Sequence, residues 1–315
     1  MGGEGGIQEP DPDAPTIVSV SPADRETGVL ADRDVVITFS EPMDRVATVT
    51  ALVSGDVTLS QGRFTWSAND TVLTLELPPF AYARGDDPAS AVASSFRFTV
   101  GTGAQDVAGN HLARPFDFAF RTLREITQIL RPVRNTENPT NQYWAWTRTL
   151  GTSVATICGA GPFTIGSLGG DANLTVGYVA MDIDDLPDDI VDFDTATFVG
   201  FQEFSTGIPF TVLGAVRLTH LLPLPINQGI APSSLPTSTT ILRDLGPFSS
   251  AAESQQKTRD VLVALEDDYA NRSQRSGQST YGLAFEFSAP GPPFDPHHIS
   301  FNCASFVLVV EYLIP

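Results

Sequence analysis

Seven aspartates fall between positions 182 and 194: Asp182, Asp184, Asp185, Asp188, Asp189, Asp192 and Asp194. Carboxylates packed that densely repel one another unless water or a cation neutralises them, and calcium accepts such oxygen ligands in flexible geometry. Asp182, Asp184, Asp185 and Asp188 are therefore the residues from which a structural calcium site could be built. The opposing reading is a solvated turn, because Ile183, Leu186 and Ile190 alone account for the folding pattern. A second chemistry lies in Tyr143-Trp144-Ala145-Trp146, where Trp144 and Trp146 would share one face of a strand. Exposed, the two indoles could stack on a pyranose ring; buried, they would fill a core. The four histidines, His111, His220, His297 and His298, sit in no HExxH, GxSxG or triad pattern. A glycosidase needs two carboxylates across a cleft, and among 37 acidic residues a pair can be drawn anywhere without geometry. The chain reads as non-catalytic, with no cofactor beyond a structural calcium.

The elements that must position these residues are strands. In the first third, turn clusters separate Thr16 to Val20, Asp34 to Ser40, Thr71 to Leu77, Ser95 to Val100 and Phe116 to Thr122, all rich in β-branched and aromatic residues. Val35, Ile37 and Phe39 alternate with Val36 and Thr38, and Phe96, Phe98 and Val100 repeat the period of two. Strands at that spacing over residues 15–122 predict an antiparallel sandwich. Glu41-Pro42-Met43-Asp44 would end a strand, since proline cannot donate to a ladder, and Ala108-Gly109-Asn110 suits a tight turn. Asp106 beside Asn110 lacks the repeated carboxylates of a hard-cation loop.

Four sequence words carry a resemblance: Ser21-Pro22-Ala23-Asp24, Gly28-Val29, Val36-Ile37-Thr38-Phe39-Ser40-Glu41-Pro42-Met43-Asp44, and Asp106-Val107-Ala108-Gly109-Asn110 before a strand ending Phe120-Arg121-Thr122. Together they resemble the Ig-like domain of bacterial S-layer and other envelope proteins. That resemblance implies an extracellular or cell-envelope location and a role as a spacer.

Beyond a connection at 123–140, marked by Asn135 to Asn141 with three asparagines and a proline, the chain again reads as strands. Leu174 to Met181, Thr195 to Phe204, Val212 to Leu218, Tyr281 to Phe287 and Phe306 to Tyr312 are the clearest. One helix is expected between Lys257 and Asn271, with Val261, Leu262, Leu265 and Tyr269 on one face. The run Val179-Ala180-Met181-Asp182-Ile183-Asp184-Asp185-Leu186-Pro187 with Thr195-Ala196-Thr197-Phe198-Val199 is similar to the opening of DNRLRE-type domains. Arg259 to Leu265, Tyr281 to Phe285, Ile299-Ser300-Phe301 and Leu308 to Tyr312 follow in that family's order. The resemblance implies a non-catalytic extracellular jelly roll, related to carbohydrate-binding modules, over residues 141–315. The chain departs from that family in the Pro-rich Leu222 to Pro236 and in two cysteines. The expected fold is thus all-β: an Ig-like β-sandwich followed by a jelly-roll β-sandwich with one short helix.

Cys158 and Cys303 belong to no CxxC motif. In an oxidising compartment they would form one disulfide, worth roughly 4 to 5 kcal/mol in the chain-entropy model for so long a loop; two buried free thiols are the alternative. The charge balance, 37 acidic against 18 basic residues and a net −19 with Lys257 the one lysine, repels phosphate backbones and anionic lipid. Nucleic-acid binding is excluded on that ground. No apolar run is long enough for a transmembrane helix. Residues 1–14, from Met1-Gly2-Gly3-Glu4-Gly5-Gly6 into a stretch rich in Pro and Asp, resemble the tether that follows a bacterial lipoprotein's acylated cysteine. Membrane contact would then run through an N-terminal lipid anchor alone, against the alternative of an ordinary polar N-terminus.

Three functions stay open at this stage. The first is a surface-anchored binding or adhesion module whose jelly roll takes a glycan or an envelope protein partner. The second is a self-associating subunit of a surface layer or extracellular fibre, and the third a polysaccharide-active hydrolase.

Overall fold

The computed structural model describes residues 14–133, 145–149, 155–157, 163–169, 174–223, 241–287 and 295–315. The fold is all-β, and the chain divides into two compact units: residues 1–126 with the C-terminal Leu313–Pro315, and Thr127–Tyr312.

The first unit contains β1 (Ile17–Ser21), β2 (Val35–Phe39), helix α1 (Arg45–Ala51), β3 (Leu52–Ser54), β4 (Arg63–Ser67), β5 (Val72–Glu76), β6 (Ala83–Gly85), β7 (Ser95–Val100), β8 (Phe116–Arg121) and the start of β9 (Arg124–Leu130). Two antiparallel sheets, β1-β2-β5-β4 and β3-β7-β8, share one core. The period of two in the sequence is the reason. Val35, Ile37 and Phe39 of β2 are buried against Leu73 and Leu75 of β5, and Phe96, Phe98, Phe118 and Phe120 close the other side. Phe98 stacks on Phe118 at 5.4 Å and on Phe120 at 6.0 Å between ring centroids. Each fully buried side chain of this size contributes about 1.5–3 kcal/mol.

Two local features depart from the sequence reading. Asp44 caps a helix: its Oδ1 accepts from the backbone N–H of Val46 (3.0 Å) and Ala47 (2.8 Å), starting α1. The stretch from Arg124, which has no clear sequence period, is strand β9, and Ala83–Gly85 of β6 pairs with its first three residues in parallel.

The second unit contains β10 (Ala145–Thr149), β11 (Ala155–Ile157), β12 (Phe163–Ser167), β13 (Leu174–Asp182), β14 (Asp192–Thr206), helix α2 (Pro209–Val212), β15 (Val216–Leu221), β16 (Ile241–Ser249), β17 (Gln255–Asp260), helix α3 (Leu262–Ala270), β18 (Gln278–Phe285) and all but the last two residues of β19 (His297–Ile314). Eight strands run in the order β16-β15-β18-β13-β12-β19-β14-β17, with β10 against β13 and β11 against β10. The sheet curls. Phe248 of β16, at one end of that order, meets Phe198 of β14 near the other at 5.4 Å, and Phe198 lies 5.0 Å from Tyr281 of β18 and 5.7 Å from Phe306 of β19. Gly200 of β14 admits this packing, since a Cβ there would stand 2.7 Å from the Phe306 ring.

The expected helix from Lys257 begins only at Leu262. Lys257 lies instead in β17, paired with Gly200, and Asp260 Oδ1 accepts from Leu262 N (2.9 Å) where the strand turns into the helix. A further helix, α2, takes the beginning of the strand expected at Val212 to Leu218; Pro209 at its first turn suits it to start there. Among the described residues no helix is long and apolar enough to cross a membrane.

Candidate functional site

The aromatic and cysteine positions are only partly described. Trp144 lies outside the described residues, while the backbone of Trp146 sits in β10 opposite Ile157 of β11 and Tyr178 of β13. Cys158 is outside the described residues too. Cys303 lies half-buried in β19, and no free cysteine occurs among the described residues.

The acidic run forms the loop between β13 and β14, and apolar plugs fix its course. Ile183 and Leu186 are buried, and Ile183 N donates to Gly277 O at 2.9 Å. Residues at the end of α3 hold the loop from the other side. Arg272 Nη1 donates to Leu186 O at 2.8 Å, its guanidinium pairs with Asp188 and lies 4.7 Å over the Tyr269 ring, and the Tyr269 hydroxyl donates to Pro187 O. Asp184 and Asp185 face solvent, whereas Asp182 is half-buried. Burial raises the Asp182 carboxyl above its ordinary range, against the backbone N–H of Asp184 that bonds it at 3.1 Å; the charges of Asp185 and Asp184 add to the rise. Asp182, Asp184, Asp185 and Asp188 do not converge on a point where one ion could touch three of them. The one group of three potential ligands among the described residues lies elsewhere, at His220, Asp267 and Asp268.

That group is the centre of a buried polar network to which no sequence motif points. Asp268, on α3, is fully buried. Its Oδ2 accepts from His220 Nε2 of β15 at 2.9 Å and from the Ser279 hydroxyl of β18 at 2.5 Å. The Tyr281 hydroxyl lies 2.8 Å from Ser279 Oγ, and burial drives its pKa well up. Arg275 bonds Asp268 Oδ1 and pairs with Asp267 at 2.7 Å. The guanidinium thus occupies the place a cation would take, and it neutralises the buried carboxylate. Nor is this a nucleophile–base relay: Ser279 and His220 share one carboxylate oxygen, whereas a relay needs the serine on the imidazole. The arrangement ties α3 to β15 and β18.

An open groove offers a different kind of chemistry. Val199 and Phe201 of β14, Gln256 of β17, and Asn302, Ala304 and Ser305 of β19 line a cavity of about 450 Å³. Phe201 is 40% exposed although it is large and apolar, and it stands opposite Gln256 in the β14–β17 register. Local bonds hold β19 in shape here. Ser305 Oγ accepts from Phe201 N (2.7 Å) and donates to Asn302 O (2.5 Å), while Asn302 Nδ2 donates to Glu203 Oε1 at 2.9 Å. An exposed ring flanked by amide, hydroxyl and carboxylate groups can stack on an apolar face and bond hydroxyls at its rim. Sequence reading missed this groove because Phe201 looked like one more residue of an alternating strand.

Residues 11–122 match the bacterial Ig-like domain family. No curated protein matches the chain. Among solved structures, the L,D-transpeptidase from Mycobacterium smegmatis is 16% identical, covering 68% of this chain and 68% of that one with a TM-score of 0.24. The α2-macroglobulin fragment from Escherichia coli is 13% identical over 90% of this chain and 72% of its own, with a TM-score of 0.25. Domains 1–6 of the surface layer protein SbsC are 10% identical over 78% and 32%, with a TM-score of 0.23.

Proposed function

We propose that this chain is a non-catalytic module of the bacterial cell envelope, with the Ig-like unit as spacer and the second unit as the recognition domain. Its ligand is a neutral glycan, taken in the groove of Phe201, Gln256, Asn302 and Ser305. The observation that carries this reading is the exposed Phe201 ring, bordered by polar groups on β17 and β19. The family match over residues 11–122 supports the envelope location. The DNRLRE-like sequence order supports a jelly roll, and within it the Cys158–Cys303 disulfide would fasten β19. Residues 1–14 would serve as the tether behind a lipid anchor.

Binding of the whole chain to a panel of neutral oligosaccharides, followed by titration calorimetry, tests the idea. Phe201→Ala is expected to weaken binding at least about tenfold, equivalent to about 1.4 kcal/mol, without changing the melting temperature. Wild-type affinity in both Phe201→Ala and Asn302→Ala, or no neutral glycan bound at millimolar concentration, would overturn it.

A further inference from the structure

A second groove, in the Ig-like unit, has the opposite character from the rest of the protein. Arg25, Thr27, Ser95, Arg97, Ala119, Phe120 and Arg121 line a cavity of about 380 Å³. Three of the chain's 18 cationic side chains meet here, in a molecule of net charge −19.

The β-sheet sets their spacing. On β7 and β8, Ser95 stands opposite Arg121 and Arg97 opposite Ala119, so Arg97 and Arg121 are diagonal neighbours on the face away from the phenylalanine core. Residues 25–29 run alongside β8. Arg25 N donates to Ala119 O (2.6 Å), Arg121 N to Glu26 O (2.8 Å) and Val29 N to Arg121 O (3.1 Å), which brings Arg25 and Thr27 to the groove. Arg25 adopts φ +64°, a left-handed conformation that non-glycine residues rarely take. An arginine is thus kept at a position that favours glycine or asparagine.

No carboxylate is among the residues that line the groove, although Asp24, Glu26, Asp56 and Asp117 stand around it. Among the described residues, Arg97 and Arg121 form no ion pair, and Arg25 has only Asp24, at 3.6 Å and in the open. The acids around the groove keep their charge but are oriented by neutral donors rather than by the three guanidinium groups. Asp24 accepts from Ala119 N (3.0 Å), Glu26 from Ala23 N (2.6 Å), Asp56 from Arg97 N (2.7 Å) and Asp117 from the Thr99 hydroxyl.

We infer that this groove binds the carboxylate groups of an acidic glycan, a chain containing hexuronate residues. Guanidinium forks match carboxylates in bidentate geometry, and the hydroxyls of Thr27 and Ser95 can bond the ring hydroxyls beside them. The volume lies in the range of small-molecule sites and suits one or two sugar rings. The overall charge selects against denser polyanions. Duplex DNA carries one charge every 1.7 Å, so its repulsion by a −19 body is far greater than that of a glycan with one carboxylate per sugar. A second copy of this chain would bring a further −19 with it.

Titration calorimetry of the whole chain with an oligogalacturonate, and with the same oligomer methyl-esterified, tests the inference. Esterification is expected to weaken binding at least about tenfold, and Arg97→Gln with Arg121→Gln to abolish it. Arg25→Asn, which keeps the left-handed backbone, should weaken it as well. Phe201→Ala should leave it unchanged, so failure here is separable from failure of the neutral-glycan reading. All three arginines are exposed, and the single variants should melt as wild type does; if the double variant unfolds, the single variants carry the test. Equal affinity for acid and ester, or wild-type affinity in the arginine variants, would overturn the assignment. So would tighter binding of an oligonucleotide. Concentration-dependent self-association that the same substitutions abolish, without glycan binding, would reassign the groove to a second copy.

Discussion

Gly277 and Asp106 each fix a turn, by different physics. Gly277 sits at φ +65° after α3, and a Cβ there would displace the carboxylate tip of the exposed Asp184 side chain. Gly277→Ala therefore meets backbone strain in the left-handed region, and should destabilise the second unit by about 1–3 kcal/mol in chemical denaturation. Asp106 is buried, which on its own would raise its pKa; hydrogen bonds from the Asn110 side chain (2.9 Å), Asn110 N (2.8 Å), Ala108 N (2.8 Å) and Gly109 N more than offset this, and the carboxyl is held below its usual range. A carboxyl with a lowered folded pKa contributes stability that is complete above the unfolded value of about 3.9 and lost as pH falls through the folded one. The urea midpoint gap between wild type and Asp106→Ala should accordingly be widest near neutrality and close toward pH 2. An unchanged gap at pH 2 would show that ionisation plays no part. The Asp106–Asn110 pair was legible as turn chemistry, because its types and spacing are local. The role of Gly277 was not, since Asp184 lies 93 positions away and nothing in either local sequence announces the contact.

At the scale of elements, α3 shows why part of the fold escaped the sequence. Its apolar face was readable, but its start was placed five residues early because Gln255 to Asp260 has no apolar alternation and becomes a strand only by pairing with β14. α1 escaped for a similar reason: seven residues carry too little period to stand out, and the capping role of Asp44 was read as the end of a strand. The strands of the first unit were legible because one face is buried and one is wet, whereas the network around Asp268 joins α3, β15 and β18 across long sequence separations. That network predicts a contrast within one helix. Asp268→Ala leaves His220, Ser279 and Arg275 without their shared acceptor and should cost about 3–5 kcal/mol, whereas Asp267→Ala, which removes an exposed carboxylate and leaves Arg275 paired with Asp268, should cost under about 1 kcal/mol. Equilibrium unfolding of both variants checks the pair; similar losses would mean that the buried carboxylate is dispensable.

Across the whole molecule, acidity sets the behaviour that no single site explains. With a pI near 4.4, solubility should pass through a minimum around pH 4.4 and recover above pH 6, measurable by light scattering across that interval. Composition alone announced this. The basic groove was invisible to composition, because its three arginines are dispersed in sequence at 25, 97 and 121 and only the pairing of β7 with β8 gathers two of them.

Lys257 is the one lysine, and it is buried in β17, with its Nζ 3.4 Å from Ala251 O and burial lowering its pKa. The surface is therefore devoid of side-chain amines and takes its positive charge from arginine. Aldehyde fixatives, active-ester dyes and acyl donors would find almost no side-chain handle on the folded protein, while dicarbonyl reagents directed at guanidinium would find many. Lysine-specific proteases would cut this chain at one site only, and only after it had opened, whereas arginine-specific ones could attack its exterior.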